Sequence, residues 1–146
     1  MNVEDTVQEL ADTEAIRDLA RRYAHYVWQQ DASGAIGLFA ENGEMDTGDG
    51  EVIRGHKALL EAYDAMFASS EFRPMVHNHV IDLRGNRAMG TCYLDLRAVV
   101  DGKDMIGNGY YQDQYVRVGA EWKFQSRKLT MCYFAEASES PTSSMA

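Results

Sequence analysis

Apolar residues recur at helical spacing through the first half of the chain, in three separate segments. The longest segment runs from about Thr13 to Gln30, a short one covers Ala35 to Ala40, and a third covers His56 to Ser69. Glu14 lies in the first turn of the longest segment, where the helix dipole favours an acidic side chain. The pattern predicts three helices, each with one apolar face.

From Met75 onward, apolar and polar residues alternate as they do in a β-strand. Turn signals at 84–86, 101–102 and 119–120 divide this region into four strands of an antiparallel meander. A shorter hairpin is predicted between the second and third helices, from Glu44–Thr47 and Val52–Arg54. Helices followed by a long antiparallel sheet predict an α+β fold with the helices on one face.

The three turns also predict which side chains share a face of the sheet. If each turn contains two residues, His79 lies opposite Cys92, and Cys92 lies opposite Tyr111. Because side chains alternate along a strand, one face then collects a mostly apolar set. Its members are His77, His79, Ile81, Leu83, Cys92, Leu94, Leu96, Tyr111, Asp113, Trp122, Phe124 and Lys128. We expect the helices to cover this face, while Arg127 falls on the opposite, wetter face.

Length and composition limit the kinds of protein that this chain can be. With 146 residues the chain has room for one domain, which we assign to residues 1–136, followed by a polar, disordered tail over 137–146. A net charge of -9 without a run of basic residues excludes nucleic acid as a partner. The chain has no apolar segment of the ~18 residues that a membrane helix needs and no secretory signal, so no membrane partner is expected. Two cysteines, Cys92 and Cys132, suit free thiols, and the predicted location is cytoplasmic.

Several short segments, in a fixed order, resemble a known superfamily over residues 10–136. They are Glu14–Leu19, Leu38–Gly43, Ile53–His56, Asn78–Leu83, Gly107–Tyr115 and the strand with Trp122 that ends near Arg127. Their order and spacing resemble the SnoaL-like and nuclear-transport-factor-2-like superfamily, which includes ketosteroid isomerases. The resemblance implies a cone-shaped domain, with three N-terminal helices packed on a curved, mostly antiparallel mixed β-sheet.

The resemblance also implies an activity. Members are polyketide cyclases, dehydratases, a dehydrochlorinase and isomerases, which use no cofactor and abstract a proton with side chains in an apolar pocket. Many of these lyases carry an Asp near the end of the first helix and a His at the start of the third strand. Those two positions fall on Trp28 and Pro74 in this chain.

The candidate site residues come from the apolar face and from the resemblance. His77 is the candidate base, because imidazole titrates near neutral pH and the family's histidine belongs at this end of the strand. Tyr23, Asp46 and Asp113 are the other catalytic candidates. The candidate pocket residues are Trp28, Met45, His79, Leu94, Tyr111, Phe124, Arg127 and Lys128. No metal is expected, because His77 and His79 have no third ligand at a recognisable spacing.

Two functions remain open at this point. The first is a cofactor-independent lyase or isomerase, of dehydratase, cyclase or retro-aldol type, which acts by acid–base catalysis on a small hydrophobic, hydroxylated aromatic or polycyclic compound. The alternative is a non-catalytic module of the same fold that binds a hydrophobic ligand or supports assembly.

An aromatic-rich outer face of the sheet also predicts a homodimer or homotrimer, through Tyr93, Tyr110, Met131 and Tyr133.

Overall fold

The computed structural model describes residues 2–137, and the first half of the chain holds three helices. Helix α1 spans Val3–Trp28, α2 spans Ala32–Ile36 and α3 spans His56–Ser69. The side-chain oxygen of Asn2 caps α1 by accepting a hydrogen bond from the Asp5 amide at 2.8 Å. This cap explains why α1 begins well before its predicted start, whereas the predicted bounds of α3 are confirmed.

Six strands form one mixed, curved sheet, and the helices pack against it, so the predicted α+β cone is confirmed. The strands are β1 (Phe39–Asp46), β2 (Val52–Arg54), β3 (Ser70–Arg84), β4 (Arg87–Val100), β5 (Lys103–Val118) and β6 (Glu121–Glu136). Their order across the sheet is β2-β1-β6-β5-β4-β3. Strand β1 runs parallel to β6, and all other neighbouring strands are antiparallel.

Two element boundaries differ from the prediction because the backbone there pairs with strands that are distant in the sequence. The segment 35–40 was predicted as a helix, but α2 ends at Ile36 and β1 already begins at Phe39. The Phe124 amide donates to the Leu38 carbonyl at 2.9 Å, and Phe39 pairs with Phe124. Similarly, β3 begins at Ser70, directly after α3, rather than at Met75. Both boundaries depend on pairing partners far away in the sequence.

The predicted strand register is confirmed close to the turns. His79 lies opposite Cys92, and Cys92 lies opposite Tyr111. At the turn between β4 and β5, Asp101 and Gly102 have φ values of 54° and 76°. Two successive positive φ values are typical of a type I′ hairpin turn, whose twist matches that of the strands. The turn chemistry therefore predicted this part of the sheet correctly.

Farther from the turns, β-bulges shift the register and reverse part of the predicted face. The β3–β4 pairing shifts between Val76 and His79, so Val76 rather than His77 lies opposite Leu94. The β5–β6 pairing shifts between Gln114 and Tyr115. Each bulge adds one residue to one strand and moves the side chains beyond it to the other face. The predicted inner-face positions of His77 and Lys128, which lie beyond these two points, are therefore wrong.

A buried carboxylate holds the first half of α1 on the sheet. Asp12 accepts a hydrogen bond from the Trp122 indole at 3.0 Å and one from the Arg117 guanidinium at 2.8 Å. Burial alone would raise the pKa of Asp12, but these hydrogen bonds and one from Gln8 outweigh it, and the pKa is lowered. Asp12 is therefore ionised at neutral pH and fixes α1 across β5 and β6.

Within residues 2–137, each helix is too short or too polar to cross a lipid bilayer. The predicted disordered tail, apart from Ala137, lies outside the described residues.

Candidate functional site

A buried ion pair lies on the inner face of the sheet, beneath the helices. Arg127 Nε donates to Asp113 Oδ1 at 2.8 Å, and Arg127 Nη2 donates to Asp113 Oδ2 at 3.1 Å. Neither side chain is accessible to water. The guanidinium carbon lies 3.6 Å from the ring centre of Tyr111, 4.3 Å from that of Phe124 and 4.6 Å from that of Tyr23. Cation–π contacts thus hold the guanidinium from several sides.

One nitrogen of this guanidinium has no hydrogen-bond partner among the described residues. Arg127 Nη1 is buried and unpaired, which typically costs about 1–3 kcal/mol. Burial also lowers the pKa of Arg127, but the Asp113 carboxylate and the nearby tyrosine hydroxyls outweigh this effect and raise it above its usual range. Arg127 is therefore a permanent buried cation with one free donor.

A chain of hydrogen bonds leads from the ion pair toward the surface. The Tyr115 hydroxyl donates to Asp113 Oδ2 at 2.8 Å, and it lies 2.8 Å from His79 Nε2. Because the single hydroxyl hydrogen is given to the carboxylate, the Tyr115 oxygen accepts from His79. We therefore assign the hydrogen to Nε2, which leaves the lone pair of the neutral ring on Nδ1. We call the four residues Arg127, Asp113, Tyr115 and His79 the relay.

Burial determines the charge of the residue at the outer end of the relay. Desolvation lowers the pKa of His79 to about 4, although the Asp113 carboxylate acts in the opposite direction. Three arginines, Arg127, Arg17 and Arg21, lower this pKa further. His79 is consequently a neutral imidazole at pH 7, with Nδ1 able to accept a proton.

A glycine makes room for the relay. Gly90 lies between Ile81 and Asp113 in the sheet. A Cβ atom at Gly90 would lie 2.7 Å from the Val80 carbonyl oxygen and 3.1 Å from the Tyr115 hydroxyl. A larger residue would therefore displace the Tyr115 ring, which links His79 to the ion pair.

His79 borders a cleft of about 300 Å³ between α1 and β3. The cleft is lined by Arg17, Ala20, Arg21, Val76, His77, His79 and Cys92. Burial raises the pKa of Cys92 to about 11, although Arg127 opposes the increase, so Cys92 is a neutral thiol at pH 7. The cleft thus combines a neutral imidazole, apolar walls and two basic side chains at its rim.

A second polar pair occupies the interior between α1 and α3. The hydroxyl oxygens of Tyr23 and Tyr63 lie 2.6 Å apart, and their rings meet edge to face. Burial raises the pKa of both hydroxyls, so both remain protonated at neutral pH. This pair fills space inside the cone and satisfies its own hydrogen bond.

Most predicted site residues on the inner face lie where the sequence placed them. Tyr23, Leu94, Tyr111, Asp113 and Phe124 are buried, and Met45 is buried beside them in β1. His79 is half-buried at the cleft. The structure brings Tyr23, Tyr111, Asp113 and Phe124 into contact with Arg127.

Three predicted orientations are wrong because of the bulges. His77 was expected on the inner face, but its imidazole is 51% exposed and bonds Asp95 at 2.7 Å, even though the residue borders the cleft. Lys128 was expected on the inner face and is exposed on the outer one. Arg127 was expected on the wetter face, but it is only 1% exposed and lies opposite Asp113.

Two other candidates lie away from the relay. Asp46 pairs with Lys128 across the β1–β6 ladder, and its carboxylate accepts from the Gly48 amide at 2.9 Å. Trp28, expected as a pocket wall, is 46% exposed, and its indole donates to the Pro74 carbonyl at 2.7 Å. Trp28 and Pro74 occupy the two positions where related lyases carry Asp and His. In this chain an indole-to-carbonyl hydrogen bond joins them.

Sequence reasoning missed Tyr115, Tyr63 and Arg17. Without the bulge, Tyr115 still falls on the same face as Asp113, two residues away, so strand alternation could have found it. Tyr63 was recognised only as part of the apolar face of α3. The position of Arg17 beside β3 is a tertiary contact without a local signal.

Comparison with known proteins identifies the family. The profile of the SnoaL-like domain matches residues 8–128, so the chain belongs to that family. No curated protein sequence shows significant similarity to this chain.

Solved structures share the fold over most of their length. An Asp-to-Asn variant of Rv3472 from Mycobacterium tuberculosis, a protein of unknown function, is 28% identical, with 90% of this chain and 76% of that chain covered and a TM-score of 0.79. A hexachlorocyclohexane dehydrochlorinase, LinA type 2, is 16% identical, with 91% of this chain and 93% of that chain covered and a TM-score of 0.85. An NTF2-like protein from Novosphingobium aromaticivorans is 21% identical, with 90% and 88% covered and a TM-score of 0.79.

Proposed function

We propose that this protein is a cofactor-independent lyase or isomerase that acts by acid–base catalysis in the cleft between α1 and β3. The relay carries this proposal, because it sets the tautomer of a neutral histidine at the edge of an accessible cleft. Membership of the SnoaL-like family supports the class of reaction. His79 takes the role of base that the sequence suggested for His77.

The proposed chemistry begins with proton transfer from a substrate C–H group to Nδ1 of His79. The electron pair of that bond forms a double bond and expels a hydroxyl group from the neighbouring carbon, or it shifts an existing double bond. In the elimination, the imidazolium returns its proton to the departing hydroxyl, which leaves as water and regenerates the base. Negative charge that develops on the substrate stabilises the imidazolium in the low-dielectric cleft.

The relay orients the base and supports its charged form. When Nδ1 gains a proton, Nε2 still donates to Tyr115, and Tyr115 still donates to Asp113. The ion pair with Arg127 keeps the Asp113 carboxylate in place. Asp113, Tyr115 and Arg127 are therefore positioning residues, since they act on the substrate only through His79.

The apolar walls of the cleft suit a hydrophobic substrate. Ala20, Val76 and Cys92 offer apolar surface, and about 300 Å³ is at the lower end of the range for ligand pockets. We propose a small, hydroxylated aromatic or polycyclic compound. A panel of such compounds, followed by the ultraviolet absorbance of the conjugated product, is the direct test of activity.

The dependence of kcat/KM on pH tests the role of His79. We expect kcat/KM to be constant from about pH 5.5 to 8 and to fall below that range with an apparent pKa of about 4, because only neutral His79 accepts a proton. An acid limb centred near 6.5 would contradict the assignment. Circular dichroism at each pH is the control.

The lowered pKa of His79 also affects the stability of the fold. As the pH falls, the unfolded chain protonates His79 before the folded protein does, so stability decreases from about pH 6.5 toward 4.

A binding module without catalysis is the second candidate function. It is favoured by the bond between Trp28 and Pro74, which occupies the positions of the Asp and His found in related lyases. Compounds from the panel that bind in calorimetry but are not converted would support this alternative.

The outer face of the sheet is the proposed surface for assembly into a homodimer or homotrimer. Val80, Met89, Tyr93 and Tyr133 are 59%, 55%, 42% and 51% exposed. Tyr110 pairs with Tyr93 on the same face, whereas Met131 faces inward, opposite Gly109, contrary to prediction. A groove of about 450 Å³ lies on this face, beside Asp46, Asp82 and Lys128.

We expect light scattering at micromolar concentration to give two or three times the chain mass of 16.4 kDa. Tyr93→Lys should shift the mass toward that of the monomer, because it places a charge within the apolar patch. The control is Val7→Lys on α1, which is 58% exposed and lies outside the sheet. A mass of 16.4 kDa for the unmodified protein would refute this assembly.

A further inference from the structure

The charge balance on α1 leaves one basic side chain free beside the cleft. Arg21 bonds Glu14 and lies 3.8 Å from Asp18, and Arg22 bonds Asp18 at 2.5 Å. Arg17 forms no ion pair or hydrogen bond with residues 2–137. The two acids thus neutralise Arg21 and Arg22, and Arg17 supplies the net positive charge of this helix face.

Arg17 lies close enough to the proposed base to act on the same ligand. It lines the cleft together with His79, and its charge contributes to the lowered pKa of that imidazole. Cys92 also lines the cleft, and its thiol adjoins the buried Arg127 guanidinium. Arg17 therefore offers an unpaired guanidinium that an anion in the cleft would satisfy.

The overall charge of the protein makes this local arrangement informative. A chain with a net charge of -9 repels anions at long range, and salt screens that repulsion beyond about 8 Å. An anionic ligand would therefore need a specific cation at its site. Arginine suits a carboxylate especially well, because its planar guanidinium matches the carboxylate with two parallel hydrogen bonds.

We propose that the substrate is a small aromatic carboxylate, an inference that rests on the proposed function and names the substrate class. Arg17 binds the carboxylate at the rim of the cleft. The apolar part of the substrate lies against Ala20, Val76 and Cys92, and a C–H group near the carboxylate faces His79. Neutralising the carboxylate also lowers the cost of the second negative charge that develops as the proton leaves.

Binding of matched acids and esters tests this inference without requiring turnover. The probes are benzoate, 4-hydroxyphenylacetate and 1-naphthylacetate, each compared with its methyl ester by isothermal titration calorimetry. We expect at least one acid to bind wild-type protein about tenfold more tightly than its ester, the range of an ion-paired hydrogen bond. Arg17→Ala should remove this preference by weakening the acid alone, and Arg17→Lys should keep part of it.

Arg22→Ala is the matched control, because Arg22 lies on the same helix, bonds Asp18 and does not line the cleft. The inference would be overturned if acid and ester bind with equal affinity, or if no acid binds. It would also be overturned if Arg17→Ala and Arg22→Ala weaken the binding of the acid equally. Failure of the proposed function looks different. The acid preference and its loss with Arg17→Ala would then persist, while no compound is converted.

Discussion

Replacing His79 with glutamine is expected to lower turnover about 10²–10⁴-fold, the typical contribution of a general base. Glutamine has a similar volume, and its amide can donate to the Tyr115 hydroxyl in place of Nε2. The cleft and the relay should therefore persist, while the group that accepts the proton is lost. Steady-state kinetics on the compound converted by wild type should show this effect in kcat rather than in KM.

Two other histidine variants make the result specific. His25→Gln is the matched control, because His25 is an exposed residue of α1 outside the cleft, and its turnover should match that of wild type. His77→Gln tests the assignment drawn from the sequence. If His77→Gln abolishes turnover while His79→Gln stays within a few-fold of wild type, the base is His77 and the relay has only a structural role.

Replacing Arg127 with methionine is expected to reduce the free energy of unfolding by about 3–5 kcal/mol, as typically follows from breaking a buried ion pair. The substitution leaves the Asp113 carboxylate without its cation at a site closed to water. It also removes the cation–π contacts with Tyr111, Phe124 and Tyr23. Unfolding in guanidinium chloride, followed by circular dichroism, measures the loss. We expect a lower denaturant concentration at the midpoint and an unchanged dependence of the unfolding free energy on denaturant.

The same substitution at a surface pair is the control for this experiment. Arg54 bonds Glu44 at 2.6 Å, but its side chain is 69% exposed, so Arg54→Met should cost at most about 1 kcal/mol. Adding Asp113→Asn to Arg127→Met should restore part of the stability, since asparagine is uncharged and still accepts from Tyr115. If Arg127→Met and Arg54→Met prove equally mild, the buried pair does not stabilise the fold.

Local sequence signals predicted the class of fold and the centre of the sheet. The Asp101-Gly102 turn requires two positive φ values, which these residues adopt readily, and strand alternation then places Cys92 opposite Tyr111. The order of the family-like segments identified the SnoaL-like superfamily, and the profile match confirms it. Asp113 was likewise placed correctly on the inner face.

The bulges could not be predicted from the alternating pattern alone. An extra residue in β6 opposite Gln114 brings Arg127 inward and turns Lys128 outward. Either register puts one basic residue on the inner face, so the sequence pattern does not distinguish them. The tertiary structure selects Arg127, because a guanidinium can bond Asp113 with two nitrogens and stack on three aromatic rings, whereas a lysine ammonium cannot.

The sequence by itself thus determined an α+β cone with a polar group, Asp113, inside an apolar face. The tertiary structure decided which partners surround that group and which histidine reaches it. His79 becomes the candidate base because one bulge turns His77 away and because burial lowers the pKa of His79, and both effects arise from atoms distant in sequence. Register shifts and desolvation depend on the packed neighbours of a residue, and a linear pattern of hydrophobic and polar positions does not contain them.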